Sequence, residues 1–192
     1  MARAGLDRER VVATAAQLAD ADGLDAVTLA RVAAALGVKS PSLYNHVAGR
    51  DDLLRGVALL GLAELAATLR EAAIGRASTE GLVASAGAYR AFVLAHPGRY
   101  AAGAVAAPAP GDAELQAAGA AVLDVLRGVL RSWSLDEDET IHALRAVRSA
   151  VHGFASLEAA GGFGLDLDVD TSFERLIRSL ATGLAGTPAE GV

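Results

Sequence analysis

Cysteine is absent from all 192 residues, which excludes disulfides, thiolate metal sites and thiol redox switches. Aromatic residues are only 4% of a chain that is 53% hydrophobic, so alanine, leucine and valine must build the core. That composition favours close-packed helices over a sheet, since alanine is the best helix former and poor in strands. Long apolar runs are also missing. The most apolar one, residues 56–67, is too short to cross a bilayer and contains Glu64. The first ten residues, MARAGLDRER, lack the apolar stretch of a secretion signal, and a cytoplasmic chain with no membrane association is expected. The four histidines, His46, His96, His142 and His152, show no H-x3-H or H-E-x2-H spacing, and no serine sits in a nucleophile elbow. Asp136 to Glu139 are consecutive acids that splay around a helix start instead of pairing. No catalytic residues, no metal and no cofactor are expected.

What the chain does have is concentrated in residues 28–50, TLARVAAALGVKSPSLYNHVAGR. Thr28 can N-cap a first short helix, its hydroxyl taking one of the N–H groups that a helix start leaves unpaired. Leu29, Val32, Ala33 and Leu36 recur at helical spacing and give that helix one buried face. Gly37 follows the last of them, where a left-handed residue commonly ends a helix. Ser40 and Pro41 then read as N-cap and first position of a second helix. Leu43 and Val47 anchor it, leaving Lys39, Ser42, Tyr44, Asn45 and His46 outward. Two short helices around a glycine corner, the second carrying exposed hydrogen-bonding side chains, make a helix-turn-helix; an ordinary helical hairpin is the plainer alternative.

The run T-x7-LGV-x2-P-x-LY-x-HV-x2-R-x2-LL resembles the TetR family of one-component transcriptional regulators. Its marks are Thr28, Leu36-Gly37-Val38, Pro41, Leu43-Tyr44, His46-Val47, Arg50 and Leu53-Leu54, within a similarity that covers roughly residues 7–55. The resemblance implies that Ser42, Tyr44 and Asn45 approach base edges or neighbouring phosphates, with Lys39 and Ser40 at the leading end. It implies that Thr28 and Arg50 grip phosphates; Pro41 and His46 complete the candidate set. It also implies double-stranded operator DNA as partner, an apolar or amphipathic small-molecule effector, and a homodimer joined through the last two long helices. Repression is the habit of the family.

An acidic chain, with pI near 5.2, is ill suited to DNA until the charge is divided. Residues 1–55 carry seven basic and seven acidic groups, and residues 56–192 carry ten and sixteen, which leaves the whole net −6 in the second part. Residues 28–50 contain Arg31, Lys39 and Arg50 and no acid. The local field decides nucleic-acid binding, not the total. Lys39 is the only lysine beside sixteen arginines. Arg3, Arg8 and Arg10 are placed to touch phosphate.

Along the rest of the chain, helices are expected over 8–22 with Asp7 as cap, 51–73, 80–95, 99–107, 114–131, 136–159 and 171–184. Capping boxes open the last two, at Ser134 to Glu137 and Thr171 to Glu174. Gly75 to Thr79 is the best internal break, and Pro108 to Gly111 a turn-rich loop. The segment 165–170 alternates apolar and acidic residues and reads as an extended linker. The expected fold is all-α: a three-helix helix-turn-helix domain at 1–50, a larger effector-binding and dimerisation bundle at 51–186, a disordered tail at 187–192, and about nine helices in all. Ala150, Gly153 and Ala155 would let a second copy's helix approach. Effector candidates are Tyr89, Phe92, His96, Tyr100, Trp133, His152 and Phe154, although large aromatics also fill cores regardless of function. A helical interaction protein, or a regulator answering to a protein partner, is the alternative reading.

Overall fold

A computed structural model describes residues 5–105 and 111–185. Among these are eight α-helices, three short 3-10 segments and no strand. The helices are α1 (Arg8–Asp22), α2 (Leu29–Leu36), α3 (Arg50–Ala73), α4 (Ser78–Ala95), α5 (Pro97–Val105), α6 (Ala113–Leu130), α7 (Glu137–Ala159) and α8 (Val169–Ala185). The 3-10 segments are Leu24–Ala26, Ser40–Asn45 and Arg131–Trp133. The expected disordered tail, most of the 108–111 loop and Arg3 lie outside the described residues.

The chain forms two compact units. One comprises Met1–Glu64 and Ala95–Gly119, the other Leu65–Leu94 and Ala120–Val192. The first unit's core gathers Val11, Ala15 and Ala19 of α1, Val27, Val32 and Ala33, Leu43 and Val47, and Leu53 and Val57 of α3. Their spacing along each helix is the apolar stripe that a small bundle must bury. Alanine and glycine let the helices approach closely: at Gly98 an added methyl group would overlap the Ala19 backbone. There the Asp20 carboxylate accepts the Arg99 N–H at 2.9 Å, placing an acid at the positive start of α5. Arg99 also reaches Glu64 at 3.0 Å.

In the second unit, Leu82, Tyr89 and Phe92 of α4, Val122 and Leu126 of α6, Leu144, Val147 and Val151 of α7, and Phe173 and Ile177 of α8 are buried. Arg90 is the unit's polar tie. Its guanidinium is only 12% exposed, makes a forked pair with Glu158 at 2.5 and 2.6 Å, and reaches Asp170 at 2.7 Å. It lies 5.4 Å and 5.0 Å from the ring centres of Phe154 and Phe173. A charge withdrawn this far from water needs such a full set of partners.

Three caps differ from expectation. Lys39, in extended backbone, precedes the 3-10 segment and offers no side-chain bond, so Ser40 is not a cap. Ser134 is left-handed (φ 52°) because it closes Arg131–Trp133, and Asp136 caps α7 instead, accepting the Glu139 N–H at 2.8 Å. Asp168 takes the Thr171 N–H at 2.7 Å, so α8 starts at Val169, two residues before the expected box. In both late helices a carboxylate, the stronger acceptor, displaces a nearby hydroxyl.

Candidate nucleic-acid interface

Thr28 sits in extended backbone and its hydroxyl accepts the Arg31 N–H at 3.2 Å, which starts α2 as the sequence suggests. At the other end Gly37 is left-handed (φ 67°), and the Val38 N–H closes the turn on the Ala33 carbonyl at 3.0 Å. That corner redirects the chain into Ser40–Asn45, which winds as a 3-10 segment instead of the expected α-helix. Pro41 removes one donor at its start, and the bonds that form are short-range, Ser42 N–H to Lys39 carbonyl and His46 N–H to Leu43 carbonyl, each 2.9 Å.

Leu43 and Val47 are buried among Val11, Val32 and Leu53 and fix which way the segment faces. Lys39, Pro41, Tyr44 and Asn45 are consequently exposed, Tyr44 at 61%, while Thr28, Ser40, Ser42 and His46 are half-buried. The segment therefore presents an aromatic hydroxyl, an amide, two hydroxyls and an ammonium from a stretch, residues 28–50, that itself contains no acid. These are donors and acceptors suited to base edges and phosphates.

The arginines around it are engaged with the protein. Arg8 forms a forked pair with Asp52 at 2.6 and 2.8 Å and bonds the His46 carbonyl at 2.9 Å. That pairing, with the Ala48 N–H bond, holds the Asp52 carboxyl at about 2. Arg31 pairs with Asp22. Arg50 donates to the Val27 carbonyl at 2.9 Å and the Leu24 carbonyl at 3.0 Å, tying the loop before α2 to the start of α3. Within residues 28–50, Lys39 is the cation with no ion pair among the described residues. Further on, Arg55 of α3 holds Asp112 at 2.6 and 2.7 Å and Glu114 at 2.7 Å, which keeps the Asp112 carboxyl at about 2. No group of three or more acids and histidines that could hold a metal exists among the described residues.

The sequence pattern of bacterial regulatory proteins of the tetR family matches residues 11–57, and that of the tetracyclin repressor-like C-terminal domain matches residues 82–180. The chain belongs to the TetR family. Its members are DNA-binding transcriptional regulators, not enzymes. An uncharacterized HTH-type transcriptional regulator of Mycobacterium tuberculosis, Rv0681, is 35% identical over 98% of this chain and 86% of its own length. The HTH-type transcriptional repressor DrrR1 of Streptomyces coeruleorubidus is 49% identical over 49 residues, 26% of this chain and 18% of its own. A solved structure of a protein of unknown function from Rhodococcus sp. RHA1 superposes with a TM-score of 0.81 at 27% identity, covering 94% of this chain and 96% of that one.

In this TetR-family chain the effector candidates are divided between the two units. His96 and Tyr100 lie in the first unit, where His96 Nδ1 stands 3.4 Å from Asp20. The other five lie in the second. Tyr89 and Phe92 are buried on α4, and the Trp133 ring N–H donates to the Ala181 carbonyl at 3.2 Å. Phe154 packs against Phe163 and Phe173 at 4.6 and 5.0 Å. His152 is exposed on the outside of α7. Two groups escaped sequence reasoning. Ser85 on α4 is fully buried, its hydroxyl without a hydrogen-bond partner among the described residues, and Arg90 meets acids 68 and 80 residues away. No local pattern announces either.

Proposed function

We propose that the chain is a one-component repressor whose operator binding is released by a small apolar or amphipathic effector. Residues 1–50 form the DNA-binding part, and residues 51–186 hold the effector and join two copies. The observation that carries the reading is the polar set Lys39, Ser42, Tyr44 and Asn45, in a stretch that itself contains no acid, held outward by the burial of Leu43 and Val47. The segment enters the major groove, Tyr44 and Asn45 at base edges, Lys39 and Thr28 on flanking phosphates, with Ser40, Pro41 and His46 at the margin. Arg50 contributes by holding the corner in shape.

One such segment touches too few base pairs to single out a genomic site, so two copies related by a two-fold axis present it twice. Leu176, Leu180 and Leu184 are half-exposed at four-residue spacing on α8 and supply an apolar seam for the second copy. Repression is supported by the likeness of the N-terminal part to a named repressor. Effector binding acts by favouring a pair conformation whose segments no longer match the groove spacing, and shifts the equilibrium only by its differential affinity for the two states.

Fluorescence anisotropy with duplex from upstream of the protein's own gene, at stated salt, tests this. Wild type binds, Tyr44→Ala with Asn45→Ala does not, and a protein-free small-molecule extract of the source cells reverses binding. Failure to bind any duplex would favour the helical interaction protein.

A further inference from the structure

We propose that Lys39 is an acylation site, at which transfer of an acetyl group from an acyl thioester to the ε-nitrogen weakens the hold on DNA. The inference rests on the DNA-facing reading of residues 39–45 above and adds a covalent control of it. Lys39 is the only lysine beside sixteen arginines. A guanidinium stays protonated, whereas an amine that has lost its proton is a nucleophile open to acylation. The sequence thus offers one side-chain amine, and it stands at the leading end of the segment that meets DNA.

The geometry suits a modifying enzyme. Lys39 is exposed and in extended backbone (φ −83°, ψ 143°), between the left-handed Gly37 and the 3-10 turn that the Ser42 N–H opens on the Lys39 carbonyl. A side chain on extended backbone stands off the chain, where a helical one lies back over the preceding turn. The amine has no ion pair among the described residues, while Arg8 is tied to Asp52, Arg31 to Asp22, and Arg50 to the Val27 and Leu24 carbonyls. Acylation therefore disturbs no ion pair within the described residues. It removes a charge that these arginines, already engaged, do not replace.

The step is a plain acyl transfer. The unprotonated ε-nitrogen attacks the thioester carbonyl carbon, a C–N bond forms and the C–S bond breaks. The sulfur leaves with the electron pair and takes up the proton that the nitrogen gives off, and nothing is oxidised or reduced. The product amide carries no charge, so each copy loses one phosphate contact. At about 0.1 M salt such a contact is worth about eightfold in affinity, hence about sixtyfold for two copies.

Two measurements on the full chain test this. Protein recovered from the source cells at several growth stages and cut with trypsin should yield the peptide of residues 32–50 uncut after Lys39 and one acetyl group heavier. Protein made with Nε-acetyl-lysine at position 39 should bind the upstream duplex about sixtyfold more weakly than wild type at about 0.1 M salt. Its circular dichroism melt should stay as in wild type, Lys39→Gln should bind like the acetylated protein, and Lys39→Arg like wild type. A Lys39 without acetyl at every growth stage overturns the inference, and so does an acetylated protein that binds like wild type. In either case the DNA reading stands as long as wild type binds. An acetylated protein that melts well below wild type assigns its weaker binding to unfolding and overturns the inference as well. A wild type that binds no duplex overturns the underlying DNA reading itself.

Discussion

Arg50 and Lys39 separate two ways in which a cation can matter to DNA binding. The Arg50 guanidinium spends two donors on the carbonyls of Val27 and Leu24, and it is 42% exposed. Removing a charged donor from such bonds costs about 1.5–3 kcal/mol each in a shielded setting. Here water replaces part of what is lost, so Arg50→Ala should destabilise by about 2 kcal/mol in total. For a chain of this length that lowers the melting temperature by roughly 4–8 °C. Lys39 makes no such bonds among the described residues, and Lys39→Gln should leave stability within about 0.5 kcal/mol of wild type. On DNA the roles reverse. Losing one phosphate contact per copy should make the slope of log affinity against log salt shallower by about 0.9 per half-site. Lys39→Gln should show that change, whereas Arg50→Ala should weaken binding with the slope unaltered. Differential scanning calorimetry and anisotropy titrations at several salt concentrations read both quantities. An Arg50→Ala protein that melts like wild type and loses about one unit of slope per half-site would refute the assignment and return Arg50 to the DNA backbone.

Three further outcomes are expected. Asp52, held at about 2 by Arg8 and the Ala48 N–H, contributes stability that is full above the ordinary carboxyl value near 4 and lost as pH falls towards 2. Its partial exposure limits this to about 1 kcal/mol, and Asp52→Asn should flatten that limb of an acid melt, leaving the part that belongs to Asp112. Gly98→Ala places a methyl group on the Ala19 backbone and should cost about 3 kcal/mol in chemical denaturation, because backbone, unlike a side chain, cannot rotate away. Leu180→Glu puts a charge into the α8 seam and should leave a folded monomer in light scattering; an unchanged mass would count against the seam.

The first unit was legible in the sequence because its signals are local. The cap at Asp7, the cap at Thr28 and the left-handed Gly37 each act within a few residues, and each stands where the pattern puts it. The burial of Leu43 and Val47, with Tyr44 outside, followed from four-residue spacing alone. The late caps misled because two candidate acceptors lie within three residues of each other, and local pattern does not rank a carboxylate above a hydroxyl. The 3-10 winding of Ser40–Asn45 was hidden for a related reason: six residues are too few for periodicity to tell one helix type from another. Ala155, read as a surface for a second copy, is fully buried in its own unit. What sequence could not reach was any contact made over distance. Arg8 and Arg50, expected at phosphates, also bond groups 23 to 44 residues away within the chain, and the acids that hold Arg90 are farther still.

Hydroxyl-radical footprinting of the wild-type protein on its own upstream DNA addresses the central claim most directly. The expected record is two protected patches on one side of the duplex, their centres about one helical turn or a whole multiple apart. Both should vanish when Tyr44 and Asn45 are replaced by alanine. A single patch, two patches on opposite sides, or a footprint that survives those replacements would contradict it.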